Sequence, residues 1–162
     1  MPEVKLVVIS PHNVDIKNEY EMAFSLHHAR AYGERVRIEW RSVGGSSSAI
    51  LSHLRNVYEN SDQSGIDVVW GGGDVNFQRM AAEGILQPMQ LAADVTDNIP
   101  AVFGGLRMCD EARLWCGSAV SAFGIFYNKR LLQRIKLPEP ARWEDLGAPH
   151  FFNLVGLADP SL

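Results

Sequence analysis

Three short apolar segments, residues 4–9, 36–40 and 66–70, recur at roughly thirty-residue spacing, and each is followed by a helical pattern. All three are rich in β-branched or aromatic residues and break off within two residues at Ser, Gly or Pro, as buried strands do. The first helical pattern sets Ile16, Tyr20, Ala23, Phe24, His27 and Ala31 on one face, with Gly33 as its stop. The second starts in Ser46-Ser47-Ser48 and turns Ile50, Leu54, Val57 and Tyr58 inward. A third, shorter one follows Asp74, expected as its N-cap, buries Phe77, Met80 and Ala81, and stops at Gly84. Alternating strand and helix of this kind predict an α/β fold: a mostly parallel sheet with helices on both faces over the first ~100 residues.

In such a sheet, ligands bind beyond the carboxyl ends of the strands, where helix N-termini converge. The loops expected there are Ser10-Pro11-His12-Asn13, Gly44-Gly45-Ser46-Ser47 and Gly71-Gly72-Gly73-Asp74. Glycine lets backbone amides approach a ligand, serine adds hydroxyls, and the helix dipole favours negative charge. The candidate ligand-binding residues are therefore Ser10, His12, Asn13, Gly44, Gly45, Ser46, Ser47, Gly72, Gly73 and Asp74, with Ser118 from further along the chain. The same residues also suit plain caps and tight turns, and Asp74 serves a helix start as well as it would a cationic ligand. His27, on the apolar helix face, is expected as a hydrogen-bonded core residue. His12 lies in the first loop, where it could contact a ligand or take part in holding a metal.

Several chemistries are disfavoured by detail. Gly71-Gly72-Gly73 lacks the further glycine of a dinucleotide fingerprint, and no Gly-Lys-Ser/Thr follows it. Ser46–Ser48 has no second flanking glycine, so it is no nucleophile elbow. The five histidines show no metal-ligand spacing. With 15 basic against 19 acidic residues and no basic stripe, nucleic acid is not an expected partner. No apolar run approaches the ~18 residues of a membrane span, and no basic leader opens the chain as a signal peptide would. Cys109 and Cys116 flank a polar stretch, so a hairpin could bond them, or both could be free core thiols.

The pattern changes after Pro100. Gly104-Gly105 precedes residues 106–109, a polar turn, and an apolar run over residues 114–127, expected as a hairpin whose second strand crosses into another lobe. Asn128 caps a helix over residues 129–135, ended by Pro138 and Pro140. Residues 154–158 read as a last strand.

Five pieces together resemble bacterial solute-binding proteins of the type 2 periplasmic-binding-protein fold, in its iron(III)-type branch. They are Val8-Ile9-Ser10-Pro11-His12, Trp40-Arg41-Ser42-Val43-Gly44-Gly45-Ser46-Ser47, Asp67-Val68-Val69-Trp70-Gly71-Gly72-Gly73, Phe123-Gly124-Ile125-Phe126-Tyr127-Asn128, and Trp143-Glu144-Asp145-Leu146 with Leu157-Ala158-Asp159-Pro160-Ser161. The resemblance implies a first lobe over residues 1–105, a hinge over 106–120 and the start of a second lobe over 121–162. It implies a periplasmic or extracytoplasmic, non-enzymatic component of an ABC importer. Such a protein captures an anion, a ferric ion or chelate, or a small organic molecule in an interlobe cleft and delivers it to a membrane permease. No cofactor is expected; a ferric ion or anion would be cargo, with His12 as the one candidate metal ligand. Family members run to about twice this length, so the chain reads as a fragment or a split gene product, without the paired tyrosines of ferric-type members. Either self-association or partial disorder beyond residue ~120 is then expected, with Phe123, Ile125, Phe126, Leu131, Phe151 and Phe152 needing cover. Two other readings use the same residues. One is a cytosolic effector-sensing domain of the same fold. The other is an enzyme acting on a phosphorylated small molecule, for which only His12 and Asp74 qualify as base or nucleophile.

Overall fold

A computed structural model describes residues 3–121 and 123–157. The chain forms two compact units, Met1–Ser118 and Ala119–Leu162.

In the first unit β1 (Glu3–Ile9) runs down the middle of a three-stranded parallel sheet, between β2 (Arg35–Arg41) and β3 (Val68–Val69). Val8 stands opposite Trp40 on one side and Val68 on the other. The regular part of β3 is shorter than the sequence predicts. Even so, the Asp67 and Trp70 amides donate to Val7 and Ile9 carbonyls at 2.9 Å each, so pairing extends to both flanks. The Val7 amide is held at 2.7 Å by the Asp67 carboxylate. β2 is an edge strand, and its charges shield it. Glu39 pairs with Lys5 at 2.7 Å and Arg41 at 2.6 Å, and the Lys5 hydrogen bond, ahead of the nearby arginines, holds its carboxyl below the usual range.

Alternation along the strands assigns the two faces. Ile9 and Val69 point toward α2 (Ser47–Asn60) and α3 (Asp74–Ala82), where Ile50, Leu51, Leu54 and Met80 close the core with Phe77, Ile66 and Leu86 around them. Val8, Trp40 and Trp70 belong to the other face, where α1 (Val14–Tyr32) lies. Arg55 on α2 donates from Nε to Glu83 at 2.7 Å, tying the end of α3 to α2. The parallel sheet with helices on both faces is the expected architecture.

Four assignments need correction. In α1 no residue is fully buried, and the half-buried set is Lys17, Glu21, Phe24, Ser25, His28 and Ala29. That set lies about one residue position, ~100°, round from the predicted face. The helix carries further apolar residues in Val14, Met22 and Leu26, so periodicity leaves its rotation open. Glu21 and Lys17, which meet Trp40, mark the inward face, and Tyr20 reaches Trp70 from its border. His27 is accordingly exposed; His28 is the half-buried one, with Nδ1 3.3 Å from the Glu34 carbonyl oxygen. Tyr58 points outward on α2 and donates to Ser64 Oγ at 3.3 Å, while Leu51 takes the inward place. Asp74 is the first helical residue of α3 and not its cap, because the left-handed turn continues through Gly73.

Beyond α3 come a one-turn helix α4 (Ala93–Thr96) and a two-stranded hairpin of β4 (Val102–Phe103) and β5 (Leu106–Arg107). Gly104 and Gly105 form its turn with φ of 57° and 81°, which fits the left-handed geometry such two-residue turns need. Cys109 and Cys116 are disulfide-bonded, Cα atoms 4.2 Å apart, within a single antiparallel bridge. The crossing strand expected over 114–127 is not formed among the described residues there. Gly117, Ser118 and Gly124 interrupt the run, and beyond the Cys116 bridge the described backbone is irregular.

In the second unit Asn128 caps α5 (Lys129–Arg134), its side-chain oxygen accepting the Leu131 amide at 3.0 Å. Two 3-10 turns follow, Trp143–Gly147 and Pro149–Phe151. The predicted strand over 154–158 is replaced by a turn: Asn153 adopts φ 60° and residues 155–157 are irregular, while Ala158 lies outside the described residues. Leu132, Pro140 and Phe151 are buried, whereas Phe123, Phe126 and Phe152 are exposed.

Candidate functional site

The carboxyl ends of β1, β2 and β3 open onto the three loops singled out in the sequence, and the loops meet at two glycines. A Cβ placed on Gly72 would lie 2.8 Å from Ser47 Oγ and 3.7 Å from Pro11 Cγ, so first, second and third loops touch at that point. A Cβ on Gly71 would lie 2.8 Å from Cδ2 and 3.1 Å from Cε1 of His12, and closer still to Nε2. Gly71, Gly72 and Gly73 all have positive φ, at 82°, 110° and 82°, a succession that side chains resist. The third loop therefore gives up side chains so that the other two can reach its backbone.

The polar groups on this rim divide into two kinds. Some are taken by the fold. Asn13 Oδ1 accepts the Ile16 amide at 3.0 Å and so caps α1; Ser46 Oγ accepts the Ala49 amide at 3.2 Å and caps α2. Ser10, only 2% exposed, accepts the His12 amide at 3.2 Å. The Asp74 carboxylate accepts from Gln78 Nε2 at 3.2 Å, in the first turn of α3 where the dipole favours it. Others remain available: Ser47 Oγ at the Gly72 contact, and the half-buried His12 imidazole, whose ring nitrogens have no hydrogen bond among the described residues. Gly44 has φ 100° and packs toward Ala49; Gly45 faces open space. Ser118 is exposed at the end of the first unit, and no described contact ties it to the three loops.

Sequence reasoning missed an aromatic cluster under His12. The indole of Trp70 lies 4.6 Å from the His12 ring, 4.2 Å from Tyr20 and 5.9 Å from Trp40, centroid to centroid. Trp40 donates from Nε1 to Glu21 at 2.7 Å, and Lys17 Nζ stands 5.8 Å over its ring. The signal was present: the second and third strand segments both end in Trp, and the parallel register puts the two on one face.

A separate groove of about 570 Å3 runs between the last turn of α3 and the disulfide loop, lined by Gln78, Ala81, Arg107, Glu111 and Trp115 among others. No candidate site residue lines it. Among the described residues no three His, Cys, Asp or Glu side chains are grouped so as to hold a metal ion, and no helix is long and apolar enough to cross a membrane.

Among curated proteins the chain has no match. A family model described as bacterial extracellular solute-binding protein matches residues 65–162, more than half of the chain. The matched segment begins just before β3 and carries the Gly71–Gly73 turn on which the other two loops converge. A parallel α/β sheet with helices on both faces, opening at its strand ends onto glycine- and serine-rich loops, suits the type 2 periplasmic-binding-protein fold. The chain belongs to the bacterial extracellular solute-binding protein family.

Proposed function

We propose that this chain is the solute-binding component of an ABC importer, that its strand-end rim forms one wall of an interlobe cleft, and that it delivers a small solute to a membrane permease. The observation that carries the reading is the meeting of three strand-end loops at Gly71 and Gly72, where His12 and Ser47 keep polar atoms the fold does not use. Residues 1–105 are read as the first lobe, 106–120 as the hinge and 121–162 as the start of the second. Solute that touches both lobes only when they are shut would shift the population toward the closed form. The Cys109–Cys116 bond supports an extracytoplasmic location, because disulfides persist in oxidising compartments, and it speaks against a cytosolic sensor.

The cargo proposed is an anion or a small polar organic molecule, met by backbone amides at the helix starts and by Ser47 and His12. For a ferric ion or ferric chelate His12 is the one candidate ligand, and among the described residues no three His, Cys, Asp or Glu side chains group around a metal. A thermal-shift screen against phosphate, ferric citrate, spermidine and simple sugars tests the reading. A bound solute at a hundred times its Kd should add about 2.7 kcal/mol of stability. The gain should be lost in Gly72→Ala. If no solute raises the melting point, or Gly72→Ala leaves the gain intact, the rim is not the site.

A further inference from the structure

Histidines that serve a fold are usually held through their ring nitrogens, by a hydrogen bond to a carbonyl or carboxylate. His12 is held differently. Its backbone is fixed by the bond to the buried Ser10 hydroxyl, one ring edge rests on Gly71, and the ring meets the indole of Trp70. The edge against Gly71 is the one centred on Nε2, which turns Nδ1 away from that seat. Packing fixes the ring, and its hydrogen-bonding capacity is left over.

Trp70 is itself braced. Its amide donates to the Ile9 carbonyl at 2.9 Å, Tyr20 lies against its ring, and Trp40 stands beside it, anchored in turn by Glu21. The line Glu21–Trp40–Trp70–His12 thus runs from the middle of α1 to the rim. A purely structural cluster would not need an imidazole at its tip, since a phenyl ring would fill the same space. Preorganising a polar side chain saves the ordering cost on binding.

We propose that Trp70 is the positioning residue for His12, with Gly71 as the seat of the ring, and that together they present the Nδ1 side of His12 to solute. The solute-facing part rests on the function proposed above; the positioning part does not. The test uses Trp70→Ala, Trp70→Phe and His12→Phe in the full chain, with the His12 ring protons followed by NMR. Beside an indole those protons should be displaced upfield, and their loss in His12→Phe separates them from the signals of His28 and His150, which also meet aromatic rings. Trp70→Ala should abolish that displacement and Trp70→Phe should keep most of it. His12→Phe should leave the melting temperature near that of the parent protein. Calorimetry with inorganic phosphate and with ferric citrate then reads the functional part. Trp70→Ala should weaken whichever probe binds about three- to tenfold, the cost of ordering one freed side chain, with Trp70→Phe restoring it.

A His12 spectrum unmoved by Trp70→Ala overturns the positioning, whether or not either probe binds. A spectrum that moves, with probe affinity unchanged in both Trp70→Ala and His12→Phe, leaves the positioning standing and overturns the solute-facing role.

Discussion

Gly71→Ala is the substitution that most sharply separates backbone strain from side-chain crowding at this rim. Gly71 has φ 82°, and holding a non-glycine residue in that region costs about 1–3 kcal/mol. The added methyl would also occupy the space of the His12 ring, forcing it off Trp70, and the lost aromatic contact is worth about 0.5–1.5 kcal/mol. The total is about 1.5–4.5 kcal/mol. Gly73 is the internal control, since it shares φ 82° but a Cβ there meets nothing within 4 Å. Gly73→Ala should therefore cost the strain alone. Removing the ring first should relieve the crowding, so Gly71→Ala measured in a His12→Ala background should fall back toward the strain cost alone, about 1–3 kcal/mol. Urea unfolding of the parent, Gly71→Ala, His12→Ala and the double variant gives the coupling energy directly, with Gly73→Ala as the fifth protein. A Gly71→Ala cost that is the same with and without the His12 ring would refute the packing described for this loop.

Replacing Cys109 and Cys116 together by serine reopens a loop of sequence separation 7, and the chain-entropy estimate for so short a loop is about 2.5 kcal/mol of lost stability; urea unfolding with and without reductant should show the same loss in the parent protein. Ser46→Ala removes the cap of α2 and should cost about 1 kcal/mol, with Ser46→Gly costing less, by the same assay. Asp145 accepts backbone N–H bonds from Ala141 and Arg142, which hold its carboxyl below the usual range. A depressed folded pKa means the contribution is present above the ordinary carboxylate value and fades as pH falls through the folded one. Trp143 fluorescence should therefore change on acidification with a midpoint below that of a free aspartate, and Asp145→Asn should remove that transition.

The sheet was legible because its signals are local and repeated. Short apolar runs, each broken by Ser, Gly or Pro and followed by a helical period, leave few alternatives to a parallel α/β arrangement. The three loops were legible for the same reason, since a parallel sheet must bring successive strand ends to one side. What sequence could not give was the rotation of α1, because Val14, Met22 and Leu26 blur the apolar face that Ile16 and Tyr20 suggest. That rotation shows only in the contacts of Glu21 and Lys17 with Trp40, a residue far off in sequence. The same long-range contacts hide the aromatic support of His12. Asp74 was misread as a cap because three consecutive glycines offer no side-chain signal for where the turn ends. The expected strands over 114–127 and 154–158 failed on small residues and on a left-handed Asn153, features that only backbone geometry weighs correctly.

The central claim is that solute meets this protein at the carboxyl ends of the three strands. Amide chemical-shift mapping during titration with phosphate, ferric citrate, spermidine and simple sugars tests it most directly. The account predicts saturable shifts for one of these, concentrated in residues 10–13, 43–47 and 70–74. Shifts that gather instead along the groove between α3 and the disulfide loop, at Gln78, Arg107 and Trp115, would contradict it.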